Sequence, residues 1–287
     1  MRKFRTQQAR KRARVLLALR TAFFVFVAGG ILGLFAYGTH SPLFRVQTIT
    51  LSTNGALSQQ ELSTAIRGDL SGTYLGLIPR DSILFLSPRR LEASLLARFP
   101  RLSNAQVRRT SATTLNAVVT ERNAAALWCG DVVPPIAYEY DKGIDNSSEE
   151  VWGTCYLMDN DGYLYARAPI FTGNVFLRYY GSLTNADPIG QHFIPLTEFS
   201  SWQQVYNNMR STDHALKAML FVDERDIELY VAPGLRVLAQ RNVSPELTQR
   251  RLTALLDSEA IDSSKKVQYL DLRFGTKAYA RYIDAEQ

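Results

Sequence analysis

Nineteen consecutive residues, Thr21 to Thr39 ("TAFFVFVAGGILGLFAYGT"), carry no charge, while the twenty before them carry eight basic side chains and no acid. No other feature limits the fold as much. At 1.5 Å per residue the segment predicts a helix of about 28 Å, close to a bilayer's hydrocarbon thickness of about 30 Å. Arg20 is placed to snorkel to the headgroups. Only Arg45 follows soon after, so the positive-inside rule puts the N-terminus in the cytoplasm and everything past about residue 40 outside. The expectation is a basic cytoplasmic tail (1–20), a transmembrane helix in lipid (21–39) and an exported remainder. The alternative is a cleaved signal peptide with Ala36-Tyr37-Gly38 as its small-x-small site, but the apolar run exceeds the usual length of about 7–15 residues.

The net charge of +6 does not mark a nucleic-acid-binding surface. Removing the eight tail cations from the 33 basic residues leaves 25 against 27 acidic ones. The basicity belongs to the tail, so no folded basic face is expected.

Cys129 and Cys155 are the only cysteines. In an exported chain disulfides persist. Each cysteine ends an alternating apolar run, with Leu127 and Cys129 on one face and Cys155 and Leu157 on one face. Antiparallel pairing with 129 opposite 155 puts 127 opposite 157, at a cross-strand spacing of about 5 Å that suits a disulfide. Closing the acidic 130–153 stretch as a surface loop contributes about 3–4 kcal/mol in the chain-entropy model. Two unpaired buried thiols are the alternative. Two cysteines without a nearby histidine supply too few ligands for a metal.

The exported part begins with an alternating run, "FRVQTITL" (44–51), read as a strand, with Asn54-Gly55 as the turn after it. Ser58 and Glu61 form a capping box ahead of the helical stripe Leu62, Ala65, Ile66 and Leu70. Ser87 caps a second helix whose first position is Pro88 and whose stripe is Leu91, Leu95 and Phe99. Two alternating runs follow, "AQVRRT" and "TLNAVVTER". Strand, helix, helix, strand, strand predicts a small α+β layer over 43–121. From 122 to 283 the pattern is mostly strands, read as a sheet meander with a helix after Ser244-Pro245 and a second near 197–212. Asp161-Gly162 is a hairpin turn signal.

Several stretches together resemble the FtsQ/DivIB family of bacterial cell-division proteins. They are "FRVQTITLSTNG" (44–55), "FPRLSNAQVRR" (99–109), "TTLNAVVTER" (113–122), "MDNDGYLY" (158–165), "DIELYVAPGLRV" (226–237) and "YLDLRF" (269–274). The chain departs from the pattern at Ala239, where the family usually has glycine, and in the cysteine-flanked 130–154 region, normally short and cysteine-free. The resemblance implies an α+β protein with one transmembrane helix, a βααββ domain of the POTRA type and a strand-rich β domain. It implies a non-enzymatic, single-pass scaffold of the inner membrane at the division septum. The implied partners are FtsB/DivIC-like and FtsL-like proteins and, through them, septal peptidoglycan synthesis.

No H-E-x-x-H, G-x-S-x-G or phosphate-binding loop appears, and the three histidines, His40, His192 and His214, lie far apart. No cofactor, metal or small-molecule substrate is expected. A membrane-anchored envelope enzyme using carboxylates such as Asp159 or Asp223 is one competing class. A POTRA protein of another envelope assembly system is the other. The partner site is expected at the last strand, "GTKAYARY" (275–282), a natural sheet edge. There Ala278 and Ala280 share a face with Thr276 and Tyr282, and Lys277, Tyr279 and Arg281 fill the other. Backbone pairing along 276–282 is expected. The resemblance points to Phe274 and Tyr282 as its aromatic positions, with Arg273 as the basic one. The alternative keeps Phe274 in the core and leaves only Tyr282 exposed.

Overall fold

A computed structural model of the chain describes residues 2–55, 57–74, 76, 78–134, 153–171, 175–258, 261 and 267–282. It divides into two compact units, Met1–Glu121 and Arg122–Gln287. Most of the expected acidic loop, residues 135–152, lies outside the described residues, as does position 283.

The first unit opens with helix α1, Arg2–Thr39. The expected transmembrane helix over 21–39 is corrected here: among the described residues no helix is long and apolar enough to cross a membrane. The apolar residues form the second half of one continuous helix whose first half is basic.

The rest of this unit is a helix-covered sheet. Its elements are β1 (Thr48–Thr53), α2 (Gln59–Leu70), the short strands β2 (Thr73–Tyr74) and β3 (Ile78–Pro79), α3 (Pro88–Arg98), β4 (Leu102–Arg109) and β5 (Thr114–Glu121). The sheet order is β1-β5-β4, with β5 parallel to β1 and antiparallel to β4. Leu62, Ile66, Leu91 and Leu95 of the helices pack on Leu115, Ala117 and Val119 of the central strand. Ser58 caps α2 by accepting from the Gln60 N–H, not as half of a box with Glu61. Ser87 makes no side-chain cap, so α3 starts on the preset φ of Pro88 alone. The first strand starts at Thr48, four residues later than the alternation suggests. Pro42–Phe44 winds into a 3₁₀ turn, with the Leu43 N–H donating to the Ser41 hydroxyl.

The second unit is one nine-stranded sheet. Its strands are β6 (Ala126–Trp128), β7 (Tyr156–Met158), β8 (Leu164–Arg167), β9 (Leu177–Tyr180), β10 (Leu216–Phe221), β11 (Asp226–Val231), β12 (Leu235–Gln240), β13 (Val267–Phe274) and β14 (Lys277–Tyr282). Helix α4 (Leu196–Met209) lies between β9 and β10, and α5 (Pro245–Leu256) between β12 and β13. The order is β14-β13-β12-β11-β10-β9-β6-β7-β8.

This is not the expected meander. Pairs β9–β10, β6–β9 and β12–β13 are parallel. A parallel pair needs a crossover of a dozen or more residues, and α4 and α5 are two such crossovers. Both helices cover one sheet face: Phe199, Trp202, Val205 and Leu252 are buried with Met219, Leu229, Val237 and Leu270. On the opposite face Leu127, Cys129, Tyr180, Ala218 and Tyr230 form a smaller cluster.

The β6–β7 register pairs Leu127 with Leu157 and Trp128 with Tyr156. One step further along, Cys129 and Cys155 are disulfide-bonded, their Cα atoms 4.1 Å apart. At the turn before β8, Gly162 has φ +74°, and a Cβ there would meet the Phe199 ring at 3.1 Å, so glycine is required both by conformation and by space.

Candidate functional site

The nine-stranded sheet has two edges, and they are treated differently. At β8 the Leu164 N–H donates to the Gln191 carbonyl and its carbonyl accepts from the Gly190 N–H. The covering segment is braced by Gln191, whose amide nitrogen donates to the carbonyls of Asn185 and Asp187 and whose amide oxygen accepts from the Asn185 N–H. At the other end, among the described residues β14 pairs only with β13, and its residues from Lys277 to Arg281 are exposed.

The register sorts the β14 side chains. Ala280 lies opposite Leu270, whose side chain belongs to the helix-covered core, while Tyr279 lies opposite Asp271 and Arg281 opposite Tyr269 on the other face. A groove of about 400 Å³ runs beside the edge on the helix side. Ala254 and Leu255 of α5 form one wall, Leu272 the floor, and Gly275, Thr276 and Ala278 the other wall.

Phe274 is 56% exposed and packs edge-on against Tyr279, ring centroids 5.2 Å apart. Tyr282 is half-buried. The burial of the two aromatics is thus the reverse of the alternative weighed from the sequence. Tyr279 and the α5 wall are additions. The Leu252/Leu255 stripe is legible in sequence, but its neighbour across the groove is fixed only by the parallel β12–β13 crossover.

Arg273 is engaged within the fold. Its guanidinium donates to both Asp271 oxygens and to Asp226. The Asp271 hydrogen bond and then that of Asp226 push the Arg273 pKa up, and the Arg273 side-chain hydrogen bond holds the Asp271 carboxyl below the usual carboxylate range. Next along the same face, Arg236 forms a two-pronged ion pair with Glu228, which also accepts from the Tyr230 hydroxyl. These pairs lock β11, β12 and β13 together.

The two carboxylates considered for catalysis have structural work. Asp159 pairs with Arg122 and accepts the N–H groups of Asp161 and Tyr163. Arg122 in turn lies over the Tyr163 ring, 4.1 Å from its centroid. Asp223 is exposed and caps its own turn, accepting from the Arg225 and Asp226 N–H groups, which lower its pKa. Among the described residues no group of three or more His, Cys, Asp or Glu is placed to hold a metal ion.

Comparison with known proteins finds no family model that matches the chain and no curated protein similar to it.

Proposed function

We propose that the chain is a non-enzymatic docking scaffold that receives an extended segment of a partner protein along β14. The observation that carries this reading is the contrast between the edges: one bonded to the chain itself at Leu164, the other open among the described residues and lying beside an apolar groove. An open edge offers unpaired N–H and C=O groups, and strand addition supplies affinity through the main chain with side-chain pockets for selectivity. Phe274 and Tyr279 form an aromatic wall on the exposed surface, and the groove takes an apolar side chain of the added strand. Lys277 and Arg281 suit an acidic segment and discourage self-pairing.

The resemblance to FtsQ/DivIB supplies the partner class: FtsB/DivIC-like and FtsL-like division proteins at the septum. The disulfide supports an oxidising, extracytoplasmic compartment for the second unit. Co-purification from native membranes tests the proposal. Recovery of two small coiled-coil membrane proteins with the full chain, lost on truncation after Gly275 while the second unit stays folded, is the expected result. Undiminished recovery after truncation places the contact elsewhere.

A further inference from the structure

The first unit holds a cavity that the docking reading does not use. It lies between the end of α2, the β2–β3 hairpin and the first two turns of α3, with a volume of about 230 Å³. Arg80 and Arg90 both line it, as do Ser87 and Ser94. We propose that this cavity binds a phosphate group carried on a small hydroxylated body, of sugar-phosphate type.

Three observations carry the proposal. The first is charge. Residues 40–121 contain nine arginines and five acids. Asp81 pairs with Arg45 and Asp69 with Arg98, Glu92 accepts the Val107 N–H, and Glu121 accepts the Leu57 N–H. Each of these four acids therefore already accepts a donor, and among the described residues neither Arg80 nor Arg90 forms an ion pair with a carboxylate. Two guanidiniums converging on one cavity suit a phosphate, whose oxygens accept the paired N–H donors.

The second is orientation. The Arg80 guanidinium lies 5.4 Å from the centroid of the Tyr74 ring. Cation–π contact holds the plane in place while leaving its N–H edge free to donate. The Ser87 hydroxyl, at the N-cap of α3, is not used as a cap, so it remains a donor for a ligand oxygen.

The third observation concerns the non-phosphate part. Asp69 lines the cavity; one carboxylate oxygen takes Arg98, and the other, Oδ2, is buried without a partner. A buried carboxylate oxygen with no donor is costly and calls for one. A phosphate oxygen that carries no proton cannot supply it, and its charge is repelled by Asp69. A hydroxyl on the body that carries the phosphate can. Leu70, Leu86 and Leu91 give the apolar floor on which a sugar ring rests.

The test is calorimetric titration of the full chain with three probes: inorganic phosphate, glucose 1-phosphate, and vesicles containing phosphatidylglycerol. Glucose 1-phosphate is expected to bind with one site per chain and at least 10-fold more tightly than inorganic phosphate. Arg80→Gln and Arg90→Gln are each expected to weaken it about 10-fold or more. Arg108→Gln removes one exposed cation on β4 and should leave binding unchanged. Asp69→Asn should narrow the preference for the sugar phosphate over inorganic phosphate. Circular dichroism checks each fold, and Arg80→Lys, which keeps the charge but not the fork, stands in if Arg80→Gln is unfolded. Preferential binding of vesicles that is lost in Arg80→Gln assigns the phosphate to a lipid headgroup and overturns the sugar-phosphate body. Equal loss from Arg108→Gln, or no saturable binding of any probe, overturns the site.

Discussion

The β8 and β14 edges belong to one sheet and end in opposite ways. At β8 the chain returns on itself: Leu164 is bonded on its outer side to 190–191, and the strands inside it are stapled through Cys129–Cys155. At β14 nothing of the chain's described part lies outside, and the strand beneath is held by ion pairs, not by a covalent link. The lesson is that stability and accessibility are assigned to different ends. The uncovered edge draws its support from the next strands inward, through Arg273, Asp271 and Asp226.

The largest expected effect is on β14 itself. Proline removes a ladder donor, and the N–H groups of consecutive residues point to opposite sides of a strand. Proline at Ala278 and at Ala280 should therefore behave alike, and opposite to proline at Tyr279 and at Arg281. One set should abolish partner capture, by about 100-fold or more in affinity, while the second unit keeps its melting temperature; the other set should unfold the β13–β14 pair. Four indistinguishable variants would break the assignment of the edge. On the closed side, Cys155→Ser should cost about 3 kcal/mol in denaturant unfolding of the second unit. It should leave the transition of the first unit unchanged, since 43–121 contains no cysteine.

Arg273→Ala should cost about 2 kcal/mol, because it strands the buried Asp271 carboxylate. The pH dependence has a definite sign. The Asp271 pKa is depressed in the fold, so its contribution is present above its unfolded value of about 3.9 and is lost as pH falls through the lower folded value. The gap in urea midpoint between the native chain and Arg273→Ala should thus be wide at pH 7 and narrow at pH 3; a gap that widens in acid contradicts the pairing. The smallest effect is at the cover. Gln191→Ala removes three hydrogen bonds from the 185–191 brace and should cost about 1 kcal/mol, with faster hydrogen exchange at the Leu164 amide. Unchanged exchange there means the cover holds without its brace.

Local chemistry made much of this legible. Ser244 and Pro245 mark the start of α5, and the hydroxyl does accept from the Leu247 N–H. The period-two placement of Leu127, Cys129, Cys155 and Leu157 contains the β6–β7 register, because a one-residue slip would turn every side chain to the wrong face. Strand order was not legible. Nothing in "VFLRYYG" says that β9 pairs in parallel with both β6 and β10, since that follows from where α4 and the β7–β8 hairpin carry the chain. At the candidate site, the edge position and the alternating faces of 276–282 could be read, but the exposure of Phe274 could not. A register shift between Asp271 and Phe274 turns that residue out of the alternation. The ion pairs of Arg273 were equally hidden, because Asp226 lies 47 residues away. The membrane-spanning expectation rested on the absence of charge across 21–39, within what the structure shows to be one continuous helix with a basic first half.

The disulfide also makes a docking port for the engineer. Cys129 and Cys155 leave and re-enter the sheet with Cα atoms 4.1 Å apart. Val133 adds a second anchor in the core cluster, so the sequence beyond it, 135–152, starts and ends close to the staple. Lengthening a closed loop adds only about 0.6 kcal/mol of entropy for each doubling. A fluorescent protein, an affinity tag or a second binding domain inserted after Val133, within 135–152, therefore reports from the disulfide end of the sheet, opposite to β14.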